Sequence, residues 1–118
     1  MTAKRRKIPR VDLVLVRGDT FTDVFTLVAG KLKTKIDITN YTFEGVIKRI
    51  DTSDVLASFV FTKLDQYRVQ RELDAATTAA LPADIRLAAY SCRWTSPDSK
   101  KRTWVEGTIR MKSDATNG

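Results

Sequence analysis

The chain has no histidine and a single cysteine, Cys92, among its 118 residues. Without histidine it lacks the commonest general base and the commonest metal ligand. One cysteine excludes an internal disulfide and any cysteine-rich zinc site. With no histidine to activate it, Cys92 reads as a small buried hydrophobe on a strand rather than a nucleophile. No stretch reaches the ~18 consecutive apolar residues that mark a membrane-spanning helix. Behind the first basic residues the apolar run is only Val11–Val16 and contains Asp12. That is too short for a secretory signal, so neither membrane insertion nor signal-peptide secretion is expected.

Carboxylates are present, and Asp51 with Asp54, or Asp98 with Glu106, could be nominated as acid–base pairs. Polar turns carry such pairs routinely, and no pattern around them implies a dry cleft. No catalytic residue, metal site or cofactor is assigned, and the expectation is a protein that is not an enzyme.

Hydrophobic residues make up 42% and charged residues 30% of the chain, as in an ordinary globular domain. Its length fits one domain able to fold without staples. The net charge of +7 is unevenly distributed. Lys4, Arg5, Arg6, Lys7 and Arg10 crowd the first ten residues, which hold no acid, so the remainder is nearly balanced. This segment reads either as a solvated terminus or as an arm that orders on an acidic neighbour or on phosphates. No aromatic residue is interleaved with the charges, so base stacking by the arm is not expected.

Beyond the arm, period-two alternation dominates the chain. In Asp37–Ile50 a polar turn opens a strand with Tyr41, Phe43, Gly45 and Ile47 on one face and Thr42, Glu44 and Lys48 on the other. Val11–Arg17 alternates loosely and is apolar on both faces. Arg17-Gly18-Asp19 matches an adhesion tripeptide, but between two apolar runs it is ordinary turn chemistry. In Thr20–Ala29, Phe21, Phe25, Leu27 and Ala29 share a face that Asp23 interrupts. Gly30–Lys35 is a basic turn. Ala57–Phe61 offers Phe59 and Phe61 to a core, and Arg68–Leu73 places Val69, Arg71 and Leu73 on one side.

Asp74–Pro82 breaks the pattern: an Asp in N-cap position, a run of alanines and a terminating proline describe one or two helical turns, with Leu81 free to plug an open end. Alternation resumes in Ile85–Trp94 and again in Arg102–Met111. In the latter, Val105, Gly107 and Ile109 face one way and Trp104, Glu106, Thr108 and Arg110 the other. Trp104 therefore falls on the polar face, where it covers a sheet edge or meets a partner.

These segments predict an all-β protein, an immunoglobulin-like antiparallel β-sandwich of about seven strands with one short helical crossover. The expected organisation is a basic N-terminal arm over residues 1–10, a single β-sandwich domain over 11–114, and a short polar tail over 115–118. The interaction residues nominated are Lys4, Arg5, Arg6, Lys7 and Arg10, then Trp104.

The order of short motifs also carries a resemblance. Arg17-Gly18-Asp19-Thr20-Phe21 opens one strand and Asp37-Ile38-Thr39-Asn40-Tyr41-Thr42-Phe43 the next. Ala57-Ser58-Phe59, Ala76–Pro82, Tyr90 and Val105-Glu106-Gly107-Thr108-Ile109 come after them in turn. The series resembles a family of small tailed-phage virion structural proteins and is similar to the N-terminal β-sandwich domain of siphophage upper baseplate proteins, over roughly Val16 to Asp114. Asn40 stands where the family has a turn glycine, and asparagine also tolerates left-handed backbone. Tyr90-Ser91-Cys92 stands where a Tyr and an Asp are frequent.

The resemblance implies a non-enzymatic neck, tail or baseplate subunit that meets other virion proteins and forms a homo-oligomeric ring or array. It implies localisation in the virion after assembly in the host cytoplasm. Other readings share these residues: a capsid decoration protein of the same fold, a sequence-independent nucleic-acid binder using the arm, and a carbohydrate-binding module stacking sugars on Tyr67, Trp94 and Trp104.

Overall fold

The computed structural model describes residues 8–112. The alternating segments assemble into two facing sheets. The larger holds five strands: β1 (Leu13–Val16), β5 (Thr42–Lys48), β6 (Val55–Ser58), β9 (Leu87–Thr95) and β10 (Lys101–Lys112), in spatial order β1-β10-β9-β5-β6. The smaller holds β2 (Phe21–Thr26), β7 (Val60–Lys63) and β8 (Arg68–Leu73), in order β2-β8-β7. Between β2 and β5 a small hairpin pairs β3 (Val28–Ala29) with β4 (Thr34–Lys35). This is an all-β domain with one short helix, α1 (Ala75–Ala80).

The expected inward faces form the core. Ile47, Val69, Leu73, Ala88, Tyr90, Cys92, Val105 and Ile109 are all buried. Gly45 lies opposite Cys92, and its missing side chain leaves the space that Cys92 Sγ, Phe59 and Phe61 fill. There Phe59 donates its N–H to the Gly45 carbonyl at 2.9 Å, and the chain leaves β6 in one sheet to enter β7 in the other. The segment that reads in sequence as one short strand is thus a corner, with Phe59 as the buried pivot.

Two differences from the expected topology are local. β1 pairs with β10 in parallel, Leu13 opposite Ile109 and Val16 opposite Lys112, whereas the other ladders are antiparallel. Parallel neighbours require a long connection, and here nearly the whole domain intervenes between the two strands. Pairing also begins before residue 11: Val11 N–H donates to the Glu106 carbonyl at 2.9 Å and Glu106 N–H to the Pro9 carbonyl at 3.1 Å.

The helical crossover forms where the sequence places it. Asp74 accepts the Thr77 N–H at 2.7 Å as N-cap, and Leu81 is buried as part of the core. Arg17 fastens this segment, its guanidinium donating to the carbonyls of Leu81, Pro82 and Ile85 at 2.6–2.9 Å. Thr78, fully buried, accepts the Gly18 N–H and donates to the Asp19 carbonyl. Arg17-Gly18-Asp19 is therefore occupied in holding the helix.

A charged residue lies in the core. Arg71 of β8 has no exposed surface and sits opposite Asp23 of β2. Its Nε and Nη2 donate to the two carboxylate oxygens at 3.0 and 2.6 Å. The guanidinium carbon lies 4.7–5.6 Å from the ring centres of Phe21, Phe25, Phe59 and Tyr90. Burial is the largest single influence and disfavours the charge, but the hydrogen bonds to Asp23, the bond to Cys92 and the attraction of the Asp23 carboxylate together outweigh it and hold the guanidinium above its ordinary pKa.

Asp23 keeps 31% of its side chain exposed, so the two partners are not equivalent. Asp23→Ala strands a buried cation and is expected to cost about 3 kcal/mol or more, whereas Arg71→Met leaves a carboxylate already reaching water and is expected to cost less than half of that. Urea unfolding at pH 7 measures both, and the reverse order would mean that the guanidinium is not the stranded partner.

Candidate functional site

A groove of about 410 Å³ lies at the side of the sandwich. Two edge strands that do not meet form its walls. On one side, among the described residues, Lys101–Val105 of β10 pair only with β9, because β1 joins β10 further along. On the other, β2 is the edge of the small sheet and continues into β3. Phe25, Val28, Ile36, Trp94 and Trp104 line the groove, and Ile8, Pro9 and Val11 form its lip.

Trp104 reaches this position through an irregularity. The register of β10 against β9 shifts between Thr103 and Val105, so Thr103 opposes Arg93 and Val105 opposes Cys92, with Trp104 as the extra residue. An inserted residue reverses the parity of the strand beyond it. Trp104 thus lies on the inner side with Val105, not on the polar face with Glu106 as uninterrupted alternation implies. Its ring meets Phe25 edge-on at 4.6 Å and lies 6.3–6.4 Å from Phe43 and Phe61. Its Nε1–H is buried with no acceptor among the described residues.

The lip is tied down by polar contacts that alternation does not foretell. Asp12 accepts from the Thr108 N–H at 2.9 Å and from its hydroxyl at 3.1 Å. These bonds hold the Asp12 carboxyl below the usual carboxylate range. The anchor is complete above that range and is lost as pH falls through the lowered value. The Tyr90 hydroxyl donates to the Val11 carbonyl from inside the sandwich. Gly107 permits this approach, since a Cβ there would collide with the Val11 carbonyl oxygen and lie 2.8 Å from its carbon.

Of the nominated interaction residues, Lys4, Arg5, Arg6 and Lys7 fall outside the described residues, and so does the 115–118 tail. Arg10 is exposed beside the groove lip and forms an ion pair with Asp12 at 3.4 Å. Trp94 and Trp104 line the groove, but Tyr67 does not; its ring lies under the Lys35 ammonium at 5.7 Å. The three rings of the sugar-platform reading are therefore not brought together. The nominated carboxylates are not gathered into a cleft: Asp54 joins its turn through its backbone, bonded to Thr52 and Arg49, Asp98 accepts from Ser96 in a turn, and Glu106 lies within β10. Among the described residues no group of His, Cys, Asp and Glu gathers as a metal site, and no helix is long and apolar enough to cross a membrane. Cys92 is buried, which raises its thiol pKa.

No family model matches the sequence, and no curated protein does. Among solved structures, the chain is similar to the SrpA adhesin of Streptococcus sanguinis, with 12% identity, 95% of this chain covered and a TM-score of 0.44. It spans 58% of that adhesin chain. It is also similar to the extracellular domain of the voltage-gated sodium channel beta4 subunit, with 9% identity, 95% of this chain and 91% of the other covered, and a TM-score of 0.32. At these scores neither likeness assigns a function, and the architecture rests on the strand pairing itself.

Gly107→Ala is expected to lift the lip from β10 and leave the core strands in place. Hydrogen exchange would then quicken at the amides of Val11, Glu106 and Thr108 and stay slow at Val69 and Cys92. Uniform acceleration would mean instead that the lip is integral to global stability.

Proposed function

We propose that this chain is a non-enzymatic structural subunit of a tailed-phage particle, placed at the neck, tail or baseplate and assembled in the host cytoplasm. It docks neighbouring subunits through its sheet edges, loops and basic N-terminal arm. The observation that carries this reading is the lateral groove, an apolar channel between two sheet edges that are unpaired among the described residues, with Ile8 and Pro9 at its lip. An extended segment of a neighbour laid there gains main-chain hydrogen bonds from an edge and apolar pockets for alternate side chains. Arg10 lies beside that lip, and Lys4, Arg5, Arg6 and Lys7 closely precede it in sequence, so an acidic neighbour on the groove is the partner this basic run suits. The motif order from Arg17 to Ile109 supports placing the subunit in a virion.

A capsid decoration role uses the same surfaces and differs in copy number. Nucleic-acid binding rests on the arm alone and predicts affinity that falls steeply with salt.

Quantitative mass spectrometry of purified particles is the direct test. Copy number at a small multiple of tail symmetry fits the proposal, a value near that of the major capsid protein moves the chain to decoration, and absence from particles overturns both. Charge reversal of the arm (Lys4→Glu, Arg5→Glu, Arg6→Glu and Lys7→Glu together) is expected to weaken incorporation about tenfold or more while leaving the thermal midpoint of the isolated domain unchanged. A large drop in that midpoint would make the arm a structural element and not a clamp.

A further inference from the structure

The open edge of β10 is guarded by charge of one sign. Lys101 and Arg102 are exposed at its start, and neither forms an ion pair with a described residue. Arg102 is the one charged residue lining the lateral groove, which holds no carboxylate among the described residues. Val28 and Ala29 of β3 line the same groove, and the turn after them carries exposed Lys31 and Lys33 with no acid before Ile36. Cations therefore come to this part of the groove from two separate elements.

Main chain is on offer along this edge. Where the segment before β1 ends its pairing, Glu106 donates to the Pro9 carbonyl and accepts the Val11 N–H on this side of β10. Lys101–Val105 continue β10 from there and pair only with β9 among the described residues.

Register decides which strand can follow. Arg10 opposes Glu106 and Leu13 opposes Ile109, so the two segments advance in step. The same register carried back would set Arg6 opposite Arg102 and Arg5 opposite Lys101. Like charges directly opposite destabilise a strand pair. A slip of one residue either way still sets Lys101 and Arg102 against cations of the arm. The arm of a second copy meets the same repulsion, as charged edges ensure in other sheets.

We propose that an extended acidic segment of another protein adds as a strand to Lys101–Val105. Its carboxylates lie beside Lys101 and Arg102, within reach of Lys31 and Lys33, and its alternate apolar side chains enter the groove at Phe25 and Trp104. Main-chain hydrogen bonds and the apolar pockets supply affinity. The cations select, favouring an acidic strand and rejecting a basic one. A nucleic acid meets the same cations but leaves the main-chain edge and the apolar lining unused. This inference rests on the reading of the groove as a docking site and names what docks there.

The test uses the full chain and a short synthetic peptide of alternating Glu and Val. Amides of Lys101–Val105 that do not bond to β9 are expected to exchange freely in the chain alone, and about tenfold or more slower with the peptide bound. Slow exchange there without peptide means that an arm already occupies the edge, and overturns the proposal. Lys101→Glu combined with Arg102→Glu is expected to weaken peptide binding about tenfold or more, read by tryptophan fluorescence. Lys101→Gln with Arg102→Gln is the second version if the first misfolds by circular dichroism. A peptide of alternating Lys and Val, oligoglutamate and single-stranded oligothymidylate are the comparison probes. Equal binding of either peptide probe, tighter binding of the oligothymidylate, or no binding of the Glu–Val peptide at millimolar concentration each overturns the strand addition. Those results leave the particle assignment standing, and absence from particles leaves the strand addition standing.

Discussion

The ion pair between Arg71 and Asp23 is the constraint on which the rest of the sandwich depends. A fully buried guanidinium is tolerated only with its hydrogen bonds made, and two of them go to one carboxylate on the neighbouring strand. Asp23 must therefore stand directly opposite Arg71. Sliding β2 by one residue would carry the carboxylate to the outer face and leave the cation unpaired. The pair thus selects one register for the small sheet. The guanidinium also joins the layers, since it donates to Cys92 Sγ of the large sheet and lies against the Tyr90 ring.

That arrangement shapes the surface. Tyr90, which walls one side of the guanidinium, turns its hydroxyl to the Val11 carbonyl and so ties the segment before β1 to the core. With Asp12 on Thr108 and Gly107 cut back to admit the chain, that segment is pinned along half of β10. The other half is left beside the edge of β2, and the lateral groove is the result. A docking surface so placed stands on rigid strands, which spares a partner the cost of ordering a loop.

Which side chains enter the core was legible from the sequence, because a strand points successive residues to opposite faces whatever it pairs with. Ile47, Val69, Tyr90, Cys92 and Ile109 obey that rule, and the capped turn at Asp74 that ends at Pro82 was equally legible. Asp23 and Arg71 were visible as charges of opposite sign in inward positions of two strands, which is the signal of an internal ion pair. Their partnership was not, since 48 residues separate them and alternation is silent about which strands adjoin. The parallel seating of β1 on β10 escaped for the same reason. Trp104 was assigned to the outer face because a single inserted residue reverses parity, and only pairing with β9 reveals the insertion. Alternation is a property of the local backbone and is written in the sequence. Register, neighbours and the groove between the edges of β2 and β10 arise from contacts between distant segments, and only the folded chain decided them.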